Sequence, residues 1–187
     1  MGGSWKTTRT KGPRLAGLCR MSALLLVLAV TTLAVEPAEY TGRWALDRDR
    51  SDDLEKAVDR ALEPENLVTR MMARKRILKS AKVPETMEIS LVGNGLLVTT
   101  ETQSPPPVPL GGTSVLWPRP KGAPVKIKLD VTASQLVETF QTDHGTRVQR
   151  FSLSKDGKSL SVGVEVASPR LERKISYQVW FSRSAKL

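Results

Sequence analysis

Short segments of alternating apolar and polar residues, separated by tight turns, are the feature of this sequence that most limits its fold. In "VKIKLDV" (residues 125–131) the apolar residues occupy every second position, which places them on one face of a β-strand. The same period recurs in "SLSVGVEVAS" and "KISYQVWFSR". Hairpin-forming residues separate such segments at 93–95, 143–145 and 156–157. The pattern predicts an all-β protein with an antiparallel sheet.

About eight such segments follow one another, beginning with "GRWALD" and including a short edge strand in "GTSVLW". Most are joined by tight turns, which is typical of an antiparallel up-and-down β-barrel. A chain of 187 residues is long enough for one domain of this kind and too short for a second full one. We therefore expect one barrel domain.

An insertion over residues 51–81, after the first predicted strand, has the period of a helix instead. Its first half carries an apolar stripe at positions i, i+4, i+7 and i+8: Leu54, Val58, Ala61 and Leu62. Pro64 interrupts the pattern, because proline disrupts a helix interior. We expect two short helices, near residues 52–62 and 65–79.

The second predicted helix combines an apolar face with a basic run. We expect its inner face to be formed by Leu67, Met71 and Leu78. The basic residues are Arg70, Arg74, Lys75, Arg76 and Lys79. A basic amphipathic helix can lie on an anionic membrane surface. Contact of these five residues with an envelope protein or a membrane is one interpretation, and a solvated helix face beside the acidic first helix is the other.

Residues 103–124 form a Pro-rich segment, in which seven of the 22 residues are proline. Proline cannot donate a backbone hydrogen bond, so most of this segment is excluded from a central strand and is expected to run extended. We expect a rigid surface loop across the mouth of the barrel. The alternative is a docking segment for an aromatic groove on a partner.

Residues 1–34 have the three-part pattern of a secretory signal peptide. A basic stretch is followed by an apolar run from Met21 to Val30 and by small residues at Thr32 and Ala34. The pattern predicts cleavage after Ala34, a mature domain over residues 35–187, and an exported protein, periplasmic or extracellular. The alternative is a membrane anchor formed by an uncleaved leader, but its apolar run is shorter than the roughly 20 residues of a spanning helix.

The net charge of +10 does not indicate nucleic-acid binding. Five basic residues and no acidic one lie in residues 1–34, so half of the excess charge belongs to the predicted leader. Together with the predicted export, this leads us to expect no nucleic-acid partner. The single cysteine, Cys19, also lies in the leader, so a cleaved chain is expected to contain no disulfide and no zinc–thiolate site.

The opening "YTGRWALDRDRSDD" and the ending "FSLSKDGKSLSVGVEVASPRLERKISYQVWFSR" resemble a family of uncharacterised bacterial exported proteins with a lipocalin-like β-barrel. The resemblance implies that Trp44 packs at the closed end of the barrel and that Arg183, near the last strand, lies over it. A cation over an indole contributes roughly 0.5 to 2 kcal/mol. The pair is therefore expected to act as a structural latch.

The chain has few residues for catalysis. Its one histidine, His144, lies in a predicted hairpin turn, where neither a Ser-His-Asp triad nor a histidine metal cluster can be built around it. We expect no enzyme, and accordingly no catalytic residue, no metal site and no cofactor. Glu138 and Glu165 stay open as site residues, because a barrel interior can hold a carboxylate beside a ligand.

The remaining predicted function is binding. An eight-stranded barrel encloses packed side chains or one small ligand. Representative residues expected to line a cavity are Leu129, Phe140, Val164 and Tyr177. The sequence thus predicts an exported, non-enzymatic binding protein for a small hydrophobic ligand or lipid. The alternative is a cell-envelope protein-interaction module acting through the helical insertion and the Pro-rich loop. A cavity above roughly 300 Å³ favours the ligand, and a packed interior favours the module.

Overall fold

The computed structural model describes residues 2–3, 36–119 and 122–184. The predicted leader and its cleavage position lie outside the described residues, apart from Gly2 and Gly3. Export and cleavage therefore stay predictions. None of the described helices is long and apolar enough to cross a bilayer.

Ten strands form one antiparallel sheet in the described part of the chain. Their bounds are β1 Gly42–Asp47, β2 Thr86–Val92, β3 Gly95–Thr100, β4 Val108–Pro109, β5 Val115–Trp117, β6 Val125–Val131, β7 Leu136–Thr142, β8 Gly145–Leu153, β9 Ser159–Ala167 and β10 Ile175–Arg183. The strand order is β4-β3-β2-β1-β10-β9-β8-β7-β6-β5. Pairing of β1 with β10 nearly closes the sheet into an up-and-down barrel whose two edges are β4 and β5.

The predicted strand count of about eight is wrong. Ten strands are observed, and the segments visible in the sequence, with β5 included, correspond to nine of them; the tenth is β4, which has two residues and lies within the Pro-rich segment. Two residues are too few to show a two-residue period. Proline fits at Pro109 because β4 is an edge strand, where one side of the backbone needs no partner. The short edge strand predicted in "GTSVLW" is present as β5.

The alternation of side chains sets the strand register. In β6 the side chains of Val125, Ile127 and Leu129 are buried, whereas Lys126 and Lys128 are exposed. A slip of one residue would turn the apolar side chains to solvent, so the apolar face selects one register. The β7–β8 turn adds a second constraint at Gly145, which has a φ of 145°. An added Cβ there would lie 2.1 Å from the Ala167 carbonyl oxygen, so the position requires glycine.

Two helices follow the first strand, as predicted: α1 spans Leu54–Ala61 and α2 spans Leu67–Ser80. The Asp53 carboxylate begins α1 by accepting hydrogen bonds from the backbone N–H groups of Glu55 and Lys56. The predicted apolar stripe of α1 is buried, with Val58 and Leu62 inaccessible to solvent. This stripe packs α1 against β10. The helices thereby lie at the end of the barrel where β10 begins.

The predicted inner face of α2 is wrong in two of its three residues. Leu67 and Met71 are 70% and 66% exposed, and only Leu78 packs against the core, together with Ala73 and Ile77. In this orientation of the helix, two arginines lie toward α1 and the residues that follow it. Arg70 donates to the carbonyl oxygens of Leu62, Glu63 and Glu65, just after α1, and Arg74 pairs with Glu55 and Asp59 of α1.

The opposite end of the barrel is closed by a short 3₁₀ helix, Pro37–Tyr40, and by large buried side chains. Trp44 and Phe151 are almost fully buried there, and the Tyr40 hydroxyl donates to the Phe151 carbonyl oxygen at 3.4 Å. The indole Nε1 of Trp44 donates to the Tyr40 carbonyl oxygen at 3.0 Å. We call this region the closed end.

Candidate ligand-binding cavity in the barrel

A cavity of about 50 Å³ lies inside the barrel, on the side of the helices. Its apolar wall includes Met87, Val98, Phe140, Phe151, Val162 and Val164. Residues of two connecting segments also border it: residues 82–84, which lead from α2 into β2, and Gln103 and Pro105, which follow β3. These segments form the rim of the cavity. Gln103 and Pro105 belong to the Pro-rich segment, and whether that segment crosses the mouth of the barrel stays a prediction.

The volume of the cavity bears on an alternative that the sequence leaves open, a barrel that holds a ligand or a barrel packed with side chains. A space of 50 Å³ holds only a few water molecules. Pockets for small molecules commonly measure roughly 300 to 1,000 Å³. The side chains nearly fill the barrel in this conformation, so volume alone favours the interaction module. A larger ligand requires side chains or the rim to move.

Three of the four residues predicted to line a cavity do so: Phe140, Val164 and Tyr177. Leu129 is buried in the core, as its place in the alternation predicts, but it does not border the cavity. Alternation indicates the face on which a side chain lies. It carries no information on which inner side chains leave space between them.

A polar cluster interrupts the apolar wall. It consists of Glu138 on β7 and of Arg147 and Gln149 on β8. Glu138 lies opposite Gln149 in the strand pairing, and Phe140 lies opposite Arg147. Because residues two apart share a face of a strand, all four side chains belong to the inner face.

The Gln149 amide links the two charged groups of this cluster. In the orientation that satisfies both neighbours, its nitrogen donates to Glu138 Oε2 at 3.1 Å and its oxygen accepts from Arg147 Nη2 at 2.5 Å. Only 2% of Glu138 is exposed, whereas Arg147 is partly exposed. The guanidinium thus lies nearer to solvent than the carboxyl group does.

Burial changes the acid–base properties of the cluster. It raises the pKa of Glu138 to about 7, against the opposing effect of the positive charge on Arg147. Burial also raises the pKa of Tyr177, which borders the same cavity, and Arg147 again opposes the shift. The cavity therefore contains a cation that is permanently charged and an acid that titrates near neutral pH.

The sequence analysis names Glu138 as an open candidate and misses Arg147 and Gln149. In "GTRVQRFSL" the polar residues at 147 and 149 share a face with Phe151, and polar residues in such a period ordinarily indicate the solvent face. The other open candidate, Glu165, does not border the cavity. Its carboxylate pairs with Lys174 Nζ at 2.9 Å, which lowers the pKa of Glu165.

The two latch residues lie together at the closed end. The Arg183 guanidinium stands over the Trp44 ring, 4.3 Å from its centroid. It also donates to three carbonyl oxygens, those of Glu39, Thr41 and Gly157, at 2.6 to 2.7 Å. These carbonyls belong to the 3₁₀ helix, the start of β1 and the β8–β9 turn. Arg183 therefore connects β10 to two other segments around the buried indole, residues 39–41 and the β8–β9 turn, and neither latch residue borders the cavity.

His144 is exposed in the β7–β8 turn, where the sequence predicts it. Its backbone N–H donates to the Thr142 hydroxyl at 3.2 Å. Within the described ranges, no three His, Cys, Asp or Glu side chains come together in an arrangement suited to a metal ion.

Comparisons with known proteins find similarity in structure only. No protein-family model matches the chain, and no curated protein matches it in sequence. Lipid binding protein 8 from Caenorhabditis elegans matches with a TM-score of 0.51 and 16% identity, over 80% of this chain and 99% of that protein. The Schistosoma mansoni fatty acid binding protein in complex with arachidonic acid gives 0.52 and 17%, over 81% and 100% of the two chains.

A secretory abundant heat soluble protein from Ramazzottius varieornatus gives a TM-score of 0.53 at 10% identity, over 78% of this chain and 96% of that protein. Matches at such identities concern the fold. The chain is similar to these proteins in its architecture, a nearly closed antiparallel β-barrel with two helices after the first strand.

Proposed function

We propose that the protein is a non-enzymatic binding protein that holds a small hydrophobic ligand, with one polar end, inside the barrel. The observation that carries the proposal is the polar cluster of buried Glu138 with partly exposed Gln149 and Arg147 in an otherwise apolar wall. Burying polar and charged groups is unfavourable unless they find partners, and apolar side chains of similar size would pack the barrel at least as well. Packing alone does not explain these polar groups, whereas binding the polar end of a ligand does.

The structural neighbours support the same class of function. Two of them are named as a lipid binding protein and a fatty acid binding protein, the latter in complex with arachidonic acid. The small volume of the cavity adds a condition: ligand entry displaces side chains of the wall or the rim. Met87 borders the cavity, and methionine adapts its shape more readily than branched side chains do.

Export is a separate part of the proposal. Its support is the signal-peptide pattern of residues 1–34. Expression of the full chain in a bacterium, followed by mass determination of the protein recovered outside the cytoplasm, tests it. A mass that begins after Ala34 is expected, and retention of the uncleaved chain in the membrane would favour the anchor instead.

Ligand binding is tested by displacing a hydrophobic fluorophore with a lipid extract and by native mass spectrometry of the protein mixed with that extract. We expect displaceable fluorescence and a retained small molecule. In Val164→Phe, which fills the cavity wall, both signals should be lost. The matched control is Val92→Phe, because Val92 is 45% exposed and lies away from the cavity. Absence of binding by the unaltered protein, or unchanged binding by Val164→Phe, would contradict the proposal.

A second candidate function, contact with an anionic membrane surface, is favoured by the outer face of α2. Four large apolar side chains are exposed there to between 55% and 70%: Leu67, Val68, Met71 and Met72. Three exposed basic residues continue the same face one and two turns further on: Lys75, Arg76 and Lys79. Apolar side chains beside Lys and Arg fit the boundary between acyl chains and anionic headgroups.

The structure reduces the basic residues available for this contact from five to three. Arg70 and Arg74 face α1 and are held there by the carbonyl and carboxylate contacts described above. Docking of an envelope protein on the helices or the Pro-rich loop stays a prediction: the small volume of the cavity agrees with it, but no contact among the described residues favours such a partner.

Co-sedimentation with lipid vesicles tests the membrane contact. We expect binding to vesicles that contain phosphatidylserine, weaker binding to phosphatidylcholine alone, and a decrease with added salt. Replacing Met71 and Met72 by Ser should lower the bound fraction severalfold. The control replaces Leu91 by Ser, because that side chain is also exposed but lies on β2. Equal loss in both variants would contradict a specific role of α2.

A further inference from the structure

Glu138 is the feature of the cavity that ligand binding alone does not explain. Its carboxyl group is almost fully buried, borders the cavity, and is connected to Arg147 through the Gln149 amide. Among the described residues that border the cavity, Glu138 is the one acid, and the cations are Arg147 and Lys82 at the rim. A ligand whose polar end reaches the cluster therefore meets one group of fixed charge and one group whose charge changes.

We propose that Glu138 is the specificity-determining residue of the cavity, and that it takes up a proton whenever the bound ligand has an anionic end. This inference rests on the proposed function, because it concerns the same cavity. The inference goes further in two respects: it states whether the cavity binds an anionic or a neutral end of the ligand, and at which pH it binds the anionic one.

The geometry gives the cluster a place for an anion. The Arg147 guanidinium has five N–H donors, of which the contact with Gln149 uses one. Arg147 is also more exposed than Glu138, so we expect an anionic end that enters from the rim to meet Arg147 first. An anion bound at Arg147 then lies beside the Glu138 carboxyl group in a poorly solvated space.

Two negative charges in such a space repel strongly, because there is little water to screen them. A protonated Glu138 removes the repulsion and supplies an O–H donor. Binding of an anion above neutral pH therefore includes the transfer of one proton from solvent to Glu138. A ligand with a neutral hydroxyl end requires no such transfer, since it can bind beside either form of the carboxyl group.

Among the described residues that border the cavity, the other elements around Glu138 provide no competing acid. Opposite it on β6 lies Leu129, and β9 contributes Val162 and Val164. From β10 comes Tyr177, which burial keeps neutral because its pKa is raised. The charges that Glu138 faces are thus those of Arg147 and, at the rim, Lys82. We therefore expect the protonation of Glu138 to determine whether an anion beside Arg147 is accepted.

Titration calorimetry with two probes tests the proposal on the full chain. Octane-1-sulfonate stays anionic at every pH used, and octan-1-ol is neutral, so neither probe titrates itself. Above a pH of about 7 we expect the affinity for the sulfonate to fall about tenfold per pH unit, as uptake of one proton requires. Below that pH, and for octan-1-ol throughout, we expect little change.

Two variants and one further measurement assign the effect to Glu138. In Glu138→Gln the affinity for the sulfonate should no longer depend on pH. In the control Glu165→Gln, which removes a carboxylate paired with Lys174 away from the cavity, the dependence should persist. If Glu138→Gln does not fold, calorimetry of the unaltered protein at pH 8 in two buffers of different ionisation enthalpy measures the proton directly. About one proton per sulfonate is expected there.

The outcomes separate this inference from the proposed function. If octan-1-ol binds and the affinity for the sulfonate is independent of pH, or if no proton is taken up, the role of Glu138 is wrong and the proposed function stands. A pH dependence that persists in Glu138→Gln has the same meaning. If neither probe binds at any pH, both proposals are overturned.

Discussion

The two ends of the barrel use the same sheet in opposite ways. At the closed end Trp44 is inaccessible to solvent, its indole N–H is hydrogen-bonded, and Arg183 covers its face while binding three carbonyl oxygens. At the end with the helices, the inner side chains leave a cavity and bury an acid that titrates near neutral pH. The difference predicts that truncating the closed end destabilises the fold more than changing the groups around the cavity does.

The largest effect is expected from removing the side chain that defines the closed end. Trp44→Ala should lower the free energy of unfolding by about 3 to 5 kcal/mol, because it leaves a large void and unpairs the Tyr40 carbonyl oxygen. Urea unfolding measures the change. The control is Trp180→Ala, since Trp180 is partly exposed and lies under Arg50, a contact of about 1 kcal/mol. Equal losses in the two variants would remove the distinction between the ends.

The next effect concerns the acid at the other end. Because the pKa of Glu138 is about 7 in the folded state and near 4.5 otherwise, the folded protein binds more protons between these pH values. The free energy of unfolding should therefore fall by about 3 kcal/mol as pH rises from 4.5 to 7, and this component should be absent from Glu138→Gln. Urea unfolding at pH 5 and pH 8 measures it.

Glu165 provides a control of opposite sign for that pH dependence. Its pKa is lowered by Lys174, so its contribution to stability is present above its unfolded pKa and is lost as pH falls. Glu165→Gln should leave the loss between pH 4.5 and 7 in place. If the free energy of unfolding lost its pH dependence equally in Glu138→Gln and Glu165→Gln, Glu138 would not be the titrating group.

A smaller effect is expected from the latch arginine. Arg183→Ala should lower the free energy of unfolding by about 1 to 2 kcal/mol, because it removes the contact with the indole face and three hydrogen bonds, all partly solvated. Arg183→Lys keeps the charge but lacks the planar guanidinium that donates to three carbonyls at once. Its free energy of unfolding should therefore lie between those of Arg183→Ala and the unaltered protein. Full stability in Arg183→Lys would mean that charge alone matters at this position.

The smallest effect is expected on the helices. Arg74→Ala breaks the ion pairs with Glu55 and Asp59, whose side chains are well exposed, so the free energy of unfolding should change by less than about 1 kcal/mol. Because solvent screens such pairs, the change should shrink further in 0.5 M salt. The control is Arg76→Ala on the exposed face of α2. A loss comparable to that of Trp44→Ala would show that the helices, and not the closed end, hold the barrel together.

The sequence predicts much of the fold because a long strand shows its two-residue period within its own residues. The seven residues of β6 alternate so regularly that both the strand and its buried face are evident, whereas the two residues of β4 carry no period. The rotation of α2 depends on tertiary contacts that its own sequence does not show: Ala73, Ile77 and Leu78 pack against the core, while Arg70 and Arg74 lie toward α1.

The candidate site is less predictable for a related reason. Glu138 stands out in the sequence as a carboxylate within a strand, yet Arg147 and Gln149 become inner residues only once β8 is placed beside β7. The volume of the cavity depends on how side chains from several strands fill the space between them, and no single segment contains that information.

The two edges of the sheet have a mechanical consequence. Nine ladders connect ten strands, so the barrel has a seam between β4 and β5 where no ladder joins the strands described. Beside it, Gly112 in the intervening segment donates a backbone hydrogen bond to the Leu129 carbonyl oxygen at 3.0 Å, which continues the contact of β5 with β6. Separation of β4 from β5 would break none of the nine ladders. We therefore expect this seam, and not any pair of laddered strands, to be where the barrel widens first if its interior enlarges.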